Sequence, residues 1–183
     1  GGTVSGLMSS INWFFTDSHE DFAIFQIVVK NDSKDGTYYP QYINRITLDS
    51  NGEYALCYQA RTETLLINDT PTETSLPEGY GVAPFLYVHR VLDFIFSEFG
   101  YTITENPFKT DKELSSLVIL NNAADCCVTG ILNYADLMPD CTIEDFLNAL
   151  YVRFGLVYNV YSDTKTATLR LIRDIMEDEP AVD

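Results

Sequence analysis

The chain has 183 residues, of which 46% are hydrophobic and 13% aromatic, enough for one cored domain or two small ones and too apolar for disorder across its body. Its 27 acidic side chains outnumber 11 basic ones, giving a formal net charge of −16. A field of that sign repels phosphate, so nucleic acid and anionic membrane surfaces are poor partners, and no apolar run is long enough for membrane insertion.

Residues 1–10, small and polar apart from Leu7 and Met8, read as a loose lead-in. The opening Gly1-Gly2, in place of a methionine, reads as a cloning scar or the end of an excised fragment and gives no reading of targeting. Ile11 to Phe15 and Phe22 to Lys30 are rich in aromatic and β-branched residues and are expected as strands, followed by a turn at Asn31 to Gly36. Tyr38 to Asp49 and Glu53 to Ala60 are expected as a hairpin about Ser50-Asn51-Gly52, because Asn-Gly supplies the positive φ of a tight hairpin turn. Thr62 to Asn68 adds a further strand. Residues 1–70 therefore read as an antiparallel β-rich part, a meander or partial barrel.

Asp69 to Gly81 holds Pro71, Pro77, Gly79 and Gly81, a composition expected of a long loop or linker, placed at 71–83. Beyond it, 84–174 is expected as an α+β part built on two helix-to-strand units, and 175–183 as an acidic tail. Pro84 stands where a first-turn proline belongs, and Phe85, Val88, Leu92, Ile95, Phe96 and Phe99 recur at steps of three and four. Gly100 ends that helix, and Tyr101 to Thr104 alternates into a strand. Asn106-Pro107 is expected as a turn. Asp111 is placed to cap a short helical segment through Leu117, with Val118 to Leu120 as a buried extended piece.

The design returns at Thr142 to Tyr161. At a constant offset of 55 residues Leu92 meets Leu147, Ile95 meets Leu150, Phe99 meets Phe154 and Gly100 meets Gly155. Thr142 with Asp145 three residues on is a weaker form of the capping box, and Ile143, Phe146, Leu147, Leu150, Tyr151 and Phe154 form the expected buried stripe. Leu156 to Tyr161 and Thr166 to Ile172 are expected as a hairpin, and Asp174 to Asp183 as a frayed tail. The fold class expected is thus α+β.

Residues able to carry chemistry are few. Cys57, Cys126, Cys127 and Cys141 contain no CxxC and read as reduced packing residues made in a cytoplasm. A thiol hydrolase using Cys127 and His89 is the weakest reading, because neither flank supplies a nucleophile elbow or an adjacent base. Asp49 to Glu53 starts like a calcium loop, but its glycine stands fourth instead of sixth and Ala60 occupies the position of the bidentate glutamate, so a hairpin turn explains it better. Glu144 and Asp145 read as helix caps rather than an acid/base pair. No catalytic, cofactor-binding or metal site is expected. An alternative is a surface or periplasmic module stacking glycan or peptide on Tyr38, Tyr39 and Tyr42.

The phrase from Leu137 through Thr142 to Leu150, then Phe154-Gly155-Leu156-Val157-Tyr158 and the turn Asp163 to Thr166 leading to Ile172, resembles tail proteins encoded by prophages. More distantly it is similar to the hubs of contractile phage tails and of type VI secretion spikes. Pro84 to Val88 and Phe99-Gly100-Tyr101 fit the same group. The resemblance implies a non-catalytic structural component of a tail or baseplate, often trimeric. It further implies synthesis in a bacterial cytoplasm, assembly into a virion or tail-like particle, other tail or baseplate subunits as partners, and no cofactor.

Overall fold

A computed structural model describes residues 2–11, 19–29 and 42–178. The chain is α+β and folds as two compact units. Unit 1 comprises Gly1–Leu86 with Leu120–Met138, and unit 2 comprises Tyr87–Ile119 with Pro139–Asp183. The division differs from the single cut expected at 71–83, because a later stretch of chain returns to complete unit 1.

Unit 1 opens with helix α1, Val4–Ser10, in place of the expected loose lead-in. The Thr3 hydroxyl accepts the Gly6 N–H, and Val4 and Met8, one turn apart, are both buried. Ile11 is the extended residue after α1, and the rest of the strand expected there lies outside the described residues, as does the Asn31 to Gly36 turn. The expected Phe22 to Lys30 strand is two short pieces, β1 (Phe22–Ala23) and β2 (Ile27–Val28). Tyr42 to Asp49 likewise breaks into β3 (Tyr42–Ile43) and β4 (Ile46–Leu48).

The cause of that second break is Asn44, which is fully buried at φ 55°. Its side-chain amide donates to Phe25 O and Ala83 O, its side-chain oxygen accepts the Ala83 N–H, and its own N–H reaches Gly81 O. One asparagine therefore substitutes for a ladder between three segments, and a left-handed residue cannot continue a strand.

β4 pairs antiparallel with β5 (Tyr54–Leu56) around the expected Asn51-Gly52 turn, with Gly52 at φ 80°. β6 (Arg61–Ile67) pairs residue for residue with β7 (Thr70–Leu76), so the first part of the stretch expected as a linker is a strand. Asn68 and Asp69 both take positive φ, the signature of a two-residue hairpin turn, and among the described residues β7 has no second neighbour to miss the Pro71 N–H. β8 (Phe85–Leu86) pairs with β1. Pro84 consequently precedes a strand, and the helix begins only after Tyr87.

Unit 2 carries both expected helix-to-strand units. α2 (Val88–Glu98) is followed by Gly100 at φ 76° and β9 (Thr102–Glu105). Asn106 then caps α3 (Pro107–Thr110), with proline in its first turn, a short helix in place of the expected turn. Asp111 bonds the Glu113 and Leu114 N–H groups ahead of a 3-10 turn, as its capping position implies. α4 (Ile143–Phe154) begins with a full Thr142/Asp145 capping box and ends at Gly155, φ 72°, which leads into β10 (Leu156–Tyr161). β10 forms the expected hairpin with β11 (Thr166–Leu171). The tail is then helical as α5 (Ile172–Asp178); residues 179–183 lie outside the described residues.

The sheet order is β10-β11-β9, with β10 antiparallel and β9 parallel to β11. The two matching strands thus flank one central strand. Leu92, Phe108, Ala167 and Leu169 are fully buried in one core with Leu171, Leu150, Leu156 and Phe96. At roughly 1.5–3 kcal/mol for each large side chain buried, this core is the main support of unit 2.

Candidate interaction site

In unit 2, the faces of α2 and α4 and the outer strand β10 bound a groove of about 790 Å³. Phe96 is packed inward, its ring edge-on to Tyr158 at 5.6 Å. Toward the groove the same stripe runs out of cover: Phe99 is 63% exposed, Tyr151 50%, Tyr158 49% and Val160 49%. Of the six side chains expected to form the buried stripe of α4, only Leu150 is buried, while Ile143 and Tyr151 are exposed. Helical period places them on one side of α4, but the chain covers only part of that side.

The charged groups lining the groove are Glu144 and Asp145. Asp145 is committed to its cap: Thr142 Oγ1 lies at 2.7 Å and the Thr142 N–H at 3.2 Å. The hydroxyl first, then the N–H, holds its carboxyl below the ordinary carboxylate range. Glu144 shares the first turn, is exposed, and faces the groove as a carboxylate with no cap to make.

The residues weighed for chemistry fall elsewhere. Cys126 and Cys127 are buried in unit 1 with sulfurs 3.8 Å apart, and Cys126 Sγ donates to Val82 O at 3.2 Å. Contact with Cys127, then burial and the Asp125 and Asp136 carboxylates, pushes the Cys126 thiol well up, while the same contact lowers Cys127 against its burial. His89, the base the thiol reading needs, belongs to unit 2, where its ring stacks on Tyr87 at 5.2 Å. All four cysteines are free.

The Asp49 carboxylate accepts the Glu53 and Asn51 N–H groups at 2.9 and 2.8 Å, which is the hairpin turn expected of it. Those two bonds, Glu53 first, also lower its pKa. Tyr42 is half-buried on β3 with the Arg45 guanidinium 6.0 Å from its ring centroid; Tyr38 and Tyr39 lie outside the described residues. Among the described residues no group of three or more His, Cys, Asp or Glu side chains could hold a metal ion, and no helix is long and apolar enough to cross a membrane.

The sequence exposes the residues of the groove but not their role. Phe99, Ile143 and Tyr151 obey the same period as core positions, and periodicity does not say whether a stripe is covered by its own chain. Comparison with protein-family models, with curated proteins and with solved structures finds no match.

Proposed function

We propose that the chain is a non-catalytic assembly module, a structural component of a phage or prophage tail or baseplate of the hub-like kind. It docks other tail or baseplate subunits, and in that setting a homotrimer is the expected self-assembly. It is made in the bacterial cytoplasm and built into a virion or tail-like particle. The tail assignment comes from the resemblance of Pro84 to Ile172.

The observation that supports docking is the groove of about 790 Å³ with half-exposed aromatic side chains on its walls. An apolar surface of this kind is costly to leave in water and is the usual mark of a protein interface. The experiment is light scattering of the parent protein, alone and with the products of neighbouring genes. A stable complex that Tyr151→Glu or Phe99→Glu abolishes, with the melting temperature unchanged, is the expected result. A parent protein that stays monomeric at all concentrations and binds none of those products overturns the reading.

A further inference from the structure

The β10 register determines which of its backbone groups face outward. The Ile172 N–H donates to Gly155 O at 3.0 Å, and Leu156 to Tyr161 pair in step with Leu171 to Thr166. Hydrogen-bonded and non-bonded pairs alternate along an antiparallel ladder, so residues 157, 159 and 161 bond inward to β11. Tyr158 and Val160 then direct their N–H and C=O groups away from β11, and among the described residues β10 has no neighbour on that side. These groups take no partner among the described residues. The side chains of the same two residues line the groove.

We infer that β10 is a strand-addition site: an extended segment of a partner polypeptide pairs with Tyr158 and Val160 and sets alternate apolar side chains into the groove, with a lysine or arginine facing Glu144. This rests on the assembly reading and names its partner. Main-chain bonding to an open edge supplies affinity, and the side chains that alternate toward one face supply selectivity. The charged groups lining the groove are carboxylates, and the chain carries a formal charge of −16, so a second copy meets repulsion where a basic segment meets attraction. β10 itself carries no charge, proline or glycine, the features that ordinarily protect an exposed edge.

The test uses the full chain and fluorescent peptides of alternating valine and polar residues, with the polar positions all lysine, all serine or all glutamate. Anisotropy is expected to show the lysine peptide binding tightest, weakening with salt, and the glutamate peptide not binding. Val160→Pro removes one outward N–H and spares the inward ladder, so it is expected to weaken the lysine peptide by at least about tenfold without unfolding the protein. Glu144→Gln is expected to erase the preference for lysine over serine while keeping the serine peptide's affinity.

Equal binding to Val160→Pro and to the unchanged chain overturns strand addition and leaves the docking reading standing. Failure of every peptide, with a native complex still broken by Tyr151→Glu, does the same. A concentration-dependent dimer that Val160→Pro abolishes overturns the basic partner in favour of a second copy. If neither peptides nor gene neighbours bind and the parent protein is monomeric, both readings fall.

Discussion

The two units reach order by different means. In unit 2 the same local program is run twice, a helix with a three-four apolar stripe, a left-handed glycine and a strand, and both products pack against β11. In unit 1 most paired segments are two or three residues long, and side chains bonded to backbone join what ladders do not. Repetitive packing spreads stability over many interchangeable contacts, whereas cross-linking by single polar residues concentrates it. Substitutions should therefore be graded in unit 2 and severe at a few positions in unit 1.

Asn44→Ala should have the largest effect. It leaves the Ala83 N–H and the Phe25 and Ala83 carbonyls without their partner in a fully buried place, and it puts alanine at φ 55°. The expected cost is about 4 kcal/mol, from stranded buried polar groups together with a left-handed non-glycine. Denaturant unfolding followed by amide exchange should show unit 1 protection collapsing first. A loss under about 1 kcal/mol would mean that unit 1 is held by packing like unit 2.

Next come two glycines with nearly the same backbone. Gly79 and Gly100 stand at φ 83° and 76°, but a Cβ on Gly79 would lie 2.8 Å from Cys127 O, whereas one on Gly100 meets nothing within 4 Å. Gly100→Ala should cost only the conformational term, about 1 kcal/mol. Gly79→Ala should cost about 3 kcal/mol, since rigid backbone must also move. Measured side by side in the same denaturant titration, equal losses would deny that the close approach in unit 1 matters.

This contrast also explains what can be read from the chain. The glycine stops, the Thr142/Asp145 box, the Asn51-Gly52 hairpin and the C-terminal hairpin are legible because each depends on residues close in sequence. The break at Asn44 is not, because it answers to Ala83 and Gly81 far along the chain, and neither is the break at 24–26, where Phe25 O takes its bond from the distant Asn44 side chain. Pro71 and the Thr-rich run mislead in another way: they weaken a central strand, but β7 is an edge, and Asn68-Asp69 holds the turn signal inside a stretch whose composition suggests a loop. At the groove, the apolar letters are all visible, and only the three-dimensional arrangement separates those buried by Leu92 and Leu169 from those left open.

The smallest effect expected concerns acid, and it compares like with like across the units. Asp145 caps α4 in unit 2 and Asp49 closes the β4–β5 turn in unit 1, and both are held below the ordinary carboxyl value of 3.8 by bonds that need the charged form. A carboxyl whose folded pKa lies below its unfolded one contributes its full stabilisation above the unfolded value and loses it as pH falls through the folded one. The window is therefore below pH 3.8, and neutral pH lies outside it. Asp145→Asn should flatten the acid limb of a melting-temperature profile by removing one such group, and Asp49→Asn should do the same for unit 1. Because the neutral amide of Asn accepts an N–H more weakly than a carboxylate does, both variants should melt slightly below the unchanged protein when neutral and converge with it in acid. A steep acid limb that survives both substitutions would shift the origin of acid sensitivity to Asp111. That carboxylate is lowered first by the Leu114 and Glu113 N–H groups and then by Arg173, 2.7 Å away, so its contribution alone should also shrink with added salt.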